Sequence, residues 1–370
     1  MTKQRIIIYP FDMESMPFVR HATLLNDELV GLAAPTGWGF CGKDASVVDH
    51  GEPVNLRVSP FEEIVTQCDT VFLVEPARKL NFTEILKPKI FQAIAQGKNI
   101  ISALNLSEVE TQEIREECRR LGVQFSEIPK SAWSEKEPPP IEEVFKINTP
   151  VIFVLGIAER TQKFEIQLTL REKLLQQGYR VSQIGSRTYC DFLNFHAFPA
   201  FMFQNGISES QKITLFNHYI KTIELEEKPD VIVLGVPGGL MPFNDRFTNR
   251  FGVLAYEVSQ AITPDAAVVS LLYEDFTLAY FEELSLHLKY KFGFEIDAYH
   301  MANMQFDWAS SQESKKMQYT TLSADFIAQK LLIWTPVQTP LFNVLNPGDG
   351  EKMVDLLVNK LSVYEEVQSI

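Results

Sequence analysis

Gly156, Arg160, Thr161 and Lys163 fall in the stretch GIAERTQK, between an apolar run and an amphipathic segment. A phosphate-binding loop places Gly-x-x-x-x-Gly-Lys-[Ser/Thr] at such a junction. Its first glycine turns the chain, and its second admits phosphate to backbone N–H groups. Its lysine adds charge, and its hydroxyl holds magnesium. Counted from Gly156, the second glycine is Thr161, the lysine is Gln162, and Lys163 stands at the Ser/Thr position. Glu159 adds negative charge where phosphate would lie, a costly neighbour at short range. Arg160 and Lys163 remain as cations at a helix N-terminus, where anions are favoured. The stretch therefore reads as a structural remnant or a remodelled binding loop, with ordinary ATP or GTP hydrolysis disfavoured.

Two companion signatures are eroded as well. A nucleotide hydrolase carries an acidic residue after an apolar strand to hold magnesium. In Pro229–Gly239, PDVIVLGVPGG, that position is Gly235, and Asp230 lies at the strand's other end. A base-reading Asn-Lys-x-Asp has no counterpart, because Asn303–Asp307 lacks both the lysine and the spacing. Gly235, Gly238 and Gly239 leave room for a ligand or a partner backbone to approach closely. A second binding candidate is the glycine-dense loop holding Gly37, Trp38, Gly39, Gly42, Lys43 and Asp44. It follows the second strand, and ligands of open α/β sheets bind beyond strand C-termini. It is not Gly-x-Gly-x-x-Gly after the first strand, so it supports dinucleotide binding poorly. Trp38 and Phe40 either fold back on the core or present a ligand or partner surface.

The remaining reactive residues assemble into no defined chemistry. The six histidines and four cysteines show no metal-ligand spacing. Asp49-His50 beside Gly51 reads as a surface loop. Asp297 and His300 fall on opposite faces of a strand. No Gly-x-Ser-x-Gly elbow is present. These patterns assign no catalytic residue and no metal, and no cofactor is expected, a nucleotide being left open but disfavoured.

Alternating strands and helices must position these loops, and they define the fold class as α/β with mainly parallel sheets. Strands are expected at Arg5–Tyr9, Leu29–Ala34, Val54–Val58, Val71–Val74, Asn99–Leu104 and Val123–Ile128. Helices are expected at Phe18–Asn26, Phe61–Cys68, Phe82–Gln96 and Ser107–Leu121, the last opened by a Ser107/Glu110 capping box. This is a Rossmann-like domain over 1–128. A proline-rich linker over 129–148 contains Trp133 and Pro138–Pro140, which can continue neither a helix nor a central strand. Residues 149–370 form a degenerate P-loop-like α/β domain. There, Val151–Leu155 leads into a helix with apolar stripes, Phe164, Leu168 and Leu175 on one and Ile166, Leu170 and Leu174 on another. Gly178 closes that helix. Strands follow at Tyr179–Ile184, Val231–Gly235, Ala266–Tyr273, Glu295–Met301 and Leu341–Leu345. Helices follow at Ser208–Glu227, Gly252–Ala261, Phe276–Phe292, Ser323–Leu332 and Gly350–Tyr364.

Bulk composition narrows the partners. The 370 residues carry 34 Lys and Arg against 48 Asp and Glu, a net charge of −14, and 45% are hydrophobic. Acidity spread over both halves argues against nucleic acid, which needs concentrated Lys and Arg. The opening MTKQRIIIYPF is too short an apolar run for a signal peptide, and no stretch reaches membrane-span length. The expectation is a cytoplasmic protein with buried thiols and no membrane partner. Phe198–Phe203 is either core or the interface of a homodimer.

Several local patterns resemble the clostridial-type peptide maturation system proteins of bacteria. In the first half these are Tyr9-Pro10, Val19-Arg20, Val30-Gly31-Leu32, Gly37-Trp38-Gly39, Gly42-Lys43-Asp44 and Cys68-Asp69-Thr70-Val71. In the second half they are Gly235–Gly239, Met241-Pro242, Phe251-Gly252 and Ala255-Tyr256-Glu257. The resemblance implies an accessory protein encoded beside a radical-SAM maturase and a ribosomally synthesised, often cysteine-rich precursor peptide. Its partners would be the precursor peptide, the maturase or both. The resemblance supplies no catalytic residues. The competing expectation from the residues is a nucleotide-dependent ligase or transferase using a remodelled loop.

Overall fold

The computed structural model describes residues 3–128 and 143–368. The predicted linker falls mostly outside them, including Trp133 and Pro138–Pro140. The chain divides into two compact units, Met1–Pro129 with Asp191–Asn194, and Lys130–Cys190 with Phe195–Ile370.

The first unit contains β1 (Arg5–Tyr9), α1 (Met16–Arg20), β2 (Glu28–Ala33), β3 (Val58–Ser59) and α2 (Phe61–Ile64). It continues with β4 (Thr70–Leu73), α3 (Lys87–Ala95), β5 (Asn99–Ser102), α4 (Glu108–Leu121) and β6 (Phe125–Glu127). The sheet order is β3-β2-β1-β4-β5-β6, and every pair is parallel. This is the doubly wound order of the Rossmann fold. Helices cover its strands, so central β1 reads as an unbroken apolar run, with Ile6, Ile7 and Ile8 fully buried. On one face Ile7, Val71, Leu73 and Ile100 pack against Ile64, Ile90, Ile94 and Ile114. Gly31 is required there, because a Cβ would lie 2.3 Å from the Ile64 side chain. Phe192, from the short returning segment, stacks on Phe72 with centroids 4.3 Å apart.

The second unit opens with β7 (Val151–Gly156), α5 (Lys163–Gln176), β8 (Val181–Gly185), β9 (His196–Ala197) and α6 (Glu209–Glu227). It continues through β10 (Val231–Gly235), α7 (Val253–Ala261), β11 (Ala266–Leu271), α8 (Leu278–Phe292) and β12 (Ala298–Met301). Then come β13 (Met304–Phe306), α9 (Trp308–Ser314), β14 (Tyr319–Thr321), α10 (Ala324–Leu331), β15 (Leu341–Phe342) and α11 (Asp349–Gln368). The large sheet runs β15-β12-β11-β7-β10-β8-β9, with all pairs parallel. Central β7 lies between β10 and β11, and the connection from β10 to β11 crosses it. The strand order therefore reverses at the C-terminal end of β7, where α/β sheets form their crevice. One sheet face packs Ile152, Val154, Val233 and Val268 under Ile166 and Leu170 of α5 and Met353, Val354 and Leu357 of α11. Among the described residues no helix is long and apolar enough to cross a membrane.

Several local expectations are corrected. Asn55 is left-handed (φ 58), so Val54–Val58 is not a strand and β3 begins at Val58. The predicted helix over 82–96 opens as a π turn, Phe82–Leu86, before α3. Pro88 sits in the first turn of α3 and cannot donate into the helical ladder. The β13–β14 hairpin is antiparallel and unforeseen. Leu175, placed on an apolar stripe, is exposed. Most of Phe198–Phe203 is core, since Phe198, Phe201 and Met202 are buried, although Phe203 is exposed. Cys41 is exposed, while the other three thiols are buried.

Candidate functional site

The C-terminal end of β7 gathers Gly156, Arg160, Thr161, Lys163, Gly238 and Gly239. The loop between β7 and α5 closes on itself there. A Cβ on Gly156 would lie 2.2 Å from Thr161 Oγ1 and 2.8 Å from Lys163 Cδ. Those side chains thus occupy the space that the first glycine leaves. Arg160 and Gln162 are both left-handed, at φ 58 and 57, a conformation uncommon outside glycine.

This backbone offers a second register beside the one read from the sequence. Lys163 is the first residue of α5 and follows left-handed Gln162. In that second register Lys163 takes the place of the motif's phosphate lysine and Gln162 that of its second glycine. Five residues, Ile157 to Thr161, separate Gly156 from Gln162, where the motif has four. In that register the loop is one residue longer than the motif.

Lys163 nevertheless turns inward. It is buried, and its ammonium donates to the Gly238 carbonyl. It forms no ion pair among the described residues. Burial holds its pKa below the usual lysine value, opposed by Glu159 and reinforced by Arg187. Arg160 is likewise engaged, its guanidinium lying over the Tyr319 ring at 5.4 Å. That ring packs edge-on to Phe306, which stacks on Phe243.

Neighbouring side chains lock the loop. The Ser270 hydroxyl, at the end of β11, donates to the Thr161 carbonyl. His300 Nδ1 lies 2.9 Å from Ser270 Oγ. With that hydroxyl proton committed, the network assigns Nδ1–H as donor to Ser270 and leaves Nε2 as a buried acceptor without a partner. Burial lowers the His300 pKa to about 3, so the ring is neutral. Gln162 Oε1 accepts the Asn303 N–H at 2.8 Å.

The remaining approaches are also filled. A Cβ on Gly235 would lie 2.1 Å from the Gln167 amide, which itself bonds Ser186 N–H and hydroxyl at 3.1 Å each. A neutral amide therefore fills the position where a magnesium-holding carboxylate would project, and the room expected at Gly235 is taken. A Cβ on Gly239 would lie 2.8 Å from the Ile157 carbonyl, which also accepts the Leu240 N–H at 3.2 Å. Gly238 (φ 82) faces open space.

The other candidate loop belongs to the first unit. Gly37, Gly39 and Gly42 are left-handed, and an added Cβ would meet nothing within 4 Å at any of them. Trp38 and Phe40 pack edge-to-face at 6.2 Å and remain half-buried. The Gly42 N–H donates to the Val58 carbonyl and the Val58 N–H to the Lys43 carbonyl, holding the loop's base, and the Lys43 residue is exposed. Asp44 caps the following turn by accepting from Ser46 and Val54 N–H. Burial opposes its ionisation, but these donors outweigh it and lower the pKa. Asp44 is therefore a structural cap, and Gly37, Trp38, Gly39, Gly42 and Lys43 form an open loop. His50 is exposed, while Asp49 is buried and pairs with Arg20 at 2.6 Å.

Sequence reasoning missed Gln167, Ser270, His300, Asn303 and Tyr319. Ser270 and His300 carried a signal, each being a polar residue near the C-terminal end of an apolar strand. Among the described residues no group of three His, Cys, Asp or Glu could hold a metal ion.

No family model matches this chain, and no curated protein matches it. Among solved structures, a DUF1611 family protein from Anabaena variabilis is similar over 96% of this chain and 100% of its own, at TM-score 0.60 and 9% identity. That likeness shows a shared fold. A nucleotide-binding protein in complex with ADP from Archaeoglobus fulgidus covers 57% of this chain and 87% of its own, at TM-score 0.30 and 17% identity. A GTPase in apo form from Pyrococcus abyssi covers 58% and 97%, at TM-score 0.30 and 13% identity. Both likenesses are too slight to bear on the site.

Proposed function

We propose that this chain is a non-catalytic accessory or binding protein built on a phosphate-loop frame. One observation carries the reading. The loop's own side chains fill its cradle, with Thr161 and Lys163 against Gly156 and the Lys163 ammonium spent on Gly238. A triphosphate would have to displace both and overcome the nearby Glu159 charge. Its place in the maturation of a ribosomally synthesised peptide, with the precursor peptide or a radical-SAM maturase as partner, rests on the sequence resemblance alone.

A nucleotide-dependent ligase or transferase is the second reading. Lys163 favours it by standing at the head of α5 behind a left-handed residue. That chemistry requires the Lys163 ammonium to leave Gly238 and Thr161 to swing away from Gly156. The two readings separate in a thermal-shift titration with MgATP, MgGTP and the precursor peptide, followed by phosphate-release assays. A ligand that binds only the native state raises the midpoint. The first reading expects a shift with peptide and none with nucleotide. A nucleotide shift accompanied by phosphate release would overturn it.

A further inference from the structure

The described chain before β7, residues 143–149, runs along α6 outside any strand or helix, and α6 grips its backbone. Asn217 does so twice, its Oδ1 accepting the Phe145 N–H at 2.6 Å and its Nδ2 donating to the Phe145 carbonyl at 2.9 Å. His218 Nε2 lies 2.8 Å from the Glu143 carbonyl. Lys221 Nζ donates to the Lys146 carbonyl at 2.9 Å. Glu224 Oε1 accepts the N–H groups of Asn148 and Thr149 at 2.6 and 2.7 Å. These four residues sit at i, i+1, i+4 and i+7, so they share one side of the helix.

The gripping groups are built into the fold. Asn217 is 1% exposed and Glu224 is 7% exposed, and Asn217 Nδ2 is also anchored on the Ala261 carbonyl at 2.9 Å. The gripped segment has the opposite character. Glu143, Val144, Phe145, Lys146 and Asn148 are all exposed. Beside it lies a cavity of about 570 Å³, lined by Phe145, Ile147, Val151, Gln260, Ile262 and Leu361. The segment is thus held through main-chain donors and acceptors, while its own side chains form part of the wall of the adjoining cavity.

We propose that this face of α6 is a binding site for a peptide main chain, which residues 143–149 occupy in the absence of a partner. The ligand class is a segment of about seven residues with unmethylated amides and little sequence requirement. Main-chain bonding supplies affinity in such a site, as it does when a peptide adds to a sheet edge. The resident segment competes at the high effective concentration of a tethered ligand, so entry in trans is weak until that segment is loosened. This site stands apart from the loop after β7, and failure of one assignment leaves the other intact.

The probe is a fluorescein-labelled, end-capped peptide EVFKINT, titrated by anisotropy against the full chain. Phe145→Pro removes the N–H that Asn217 accepts, and it should tighten peptide binding about tenfold or more relative to the unsubstituted chain. A peptide N-methylated at its phenylalanine should bind about tenfold more weakly, whereas a scrambled peptide should bind about as well as the original. A folded Phe145→Pro chain that does not bind the peptide saturably would overturn the proposal, as would indifference to N-methylation. Hydrogen exchange on the unsubstituted chain provides a measurement independent of that variant's folding. Saturating peptide should speed exchange at the Phe145, Asn148 and Thr149 amides, and unchanged rates would overturn the proposal.

Discussion

Lys163 and His300 are the two residues whose burial matters most at the crevice, and each makes a pH-dependent prediction. Burial depresses the Lys163 pKa in the folded chain. Between that value and the ordinary lysine value of about 10.4 the unfolded state binds more protons, so stability rises with pH. Lys163→Met removes a buried charge and should raise the unfolding midpoint at pH 7. Its advantage should shrink as pH climbs toward 10, which paired thermal melts will show. His300 has its pKa lowered to about 3, against an ordinary value of about 6.5. As pH falls through that interval the unfolded state takes up the proton first and stability is lost. His300→Gln should therefore flatten part of the acid-side loss in urea titrations between about pH 6.5 and pH 3. An unchanged acid limb would show that His300 is not the neutral buried ring described above.

At the scale of elements, the connection from β10 to α7 is tightly constrained. Asn249, Arg250, Phe251 and Gly252 are left-handed in succession, at φ 47, 52, 58 and 73. L-residues resist such runs. The Lys291 ammonium bridges the Leu240 and Phe251 carbonyls at 2.8 and 3.0 Å and pins the turn. A Cβ on Gly252 would also lie 2.1 Å from the Leu240 carbonyl oxygen. Gly252→Ala should cost about 2 kcal/mol or more in denaturant unfolding. In contrast, Ser107→Ala at the α4 capping box should cost only about 1 kcal/mol. The capping box was legible because its Ser107 and Glu110 are local, and both reciprocal bonds are present. The strands β1, β7 and β10 were legible for a similar reason, since burial on both faces demands an apolar run. The β13–β14 hairpin was not, because Met304–Phe306 and Tyr319–Thr321 are too short for periodicity to register. The closure of the loop was also hidden. Gln167 lies under Gly235 and Lys163 on Gly238 through tertiary contacts that no local pattern encodes. Even the lysine's second register depended on Gln162 adopting a glycine-like backbone.

For the whole molecule, two parallel sheets account for the fold class, and the second is the one that brings the candidate residues together. The first unit needs a segment distant in sequence, since Phe192 stacks on Phe72 and meets Phe18 edge-on. Phe192→Ala should lower the first unit's unfolding free energy by about 2 kcal/mol or more. Domain-resolved hydrogen exchange would read that loss directly. The central claim concerns the crevice beyond β7, where a phosphate-loop frame is plugged by its own side chains. Isothermal titration of the full chain with MgATP and MgGTP tests it most directly. The account predicts no saturable heat up to about 1 mM nucleotide. A saturable isotherm that disappears in Lys163→Met would contradict it.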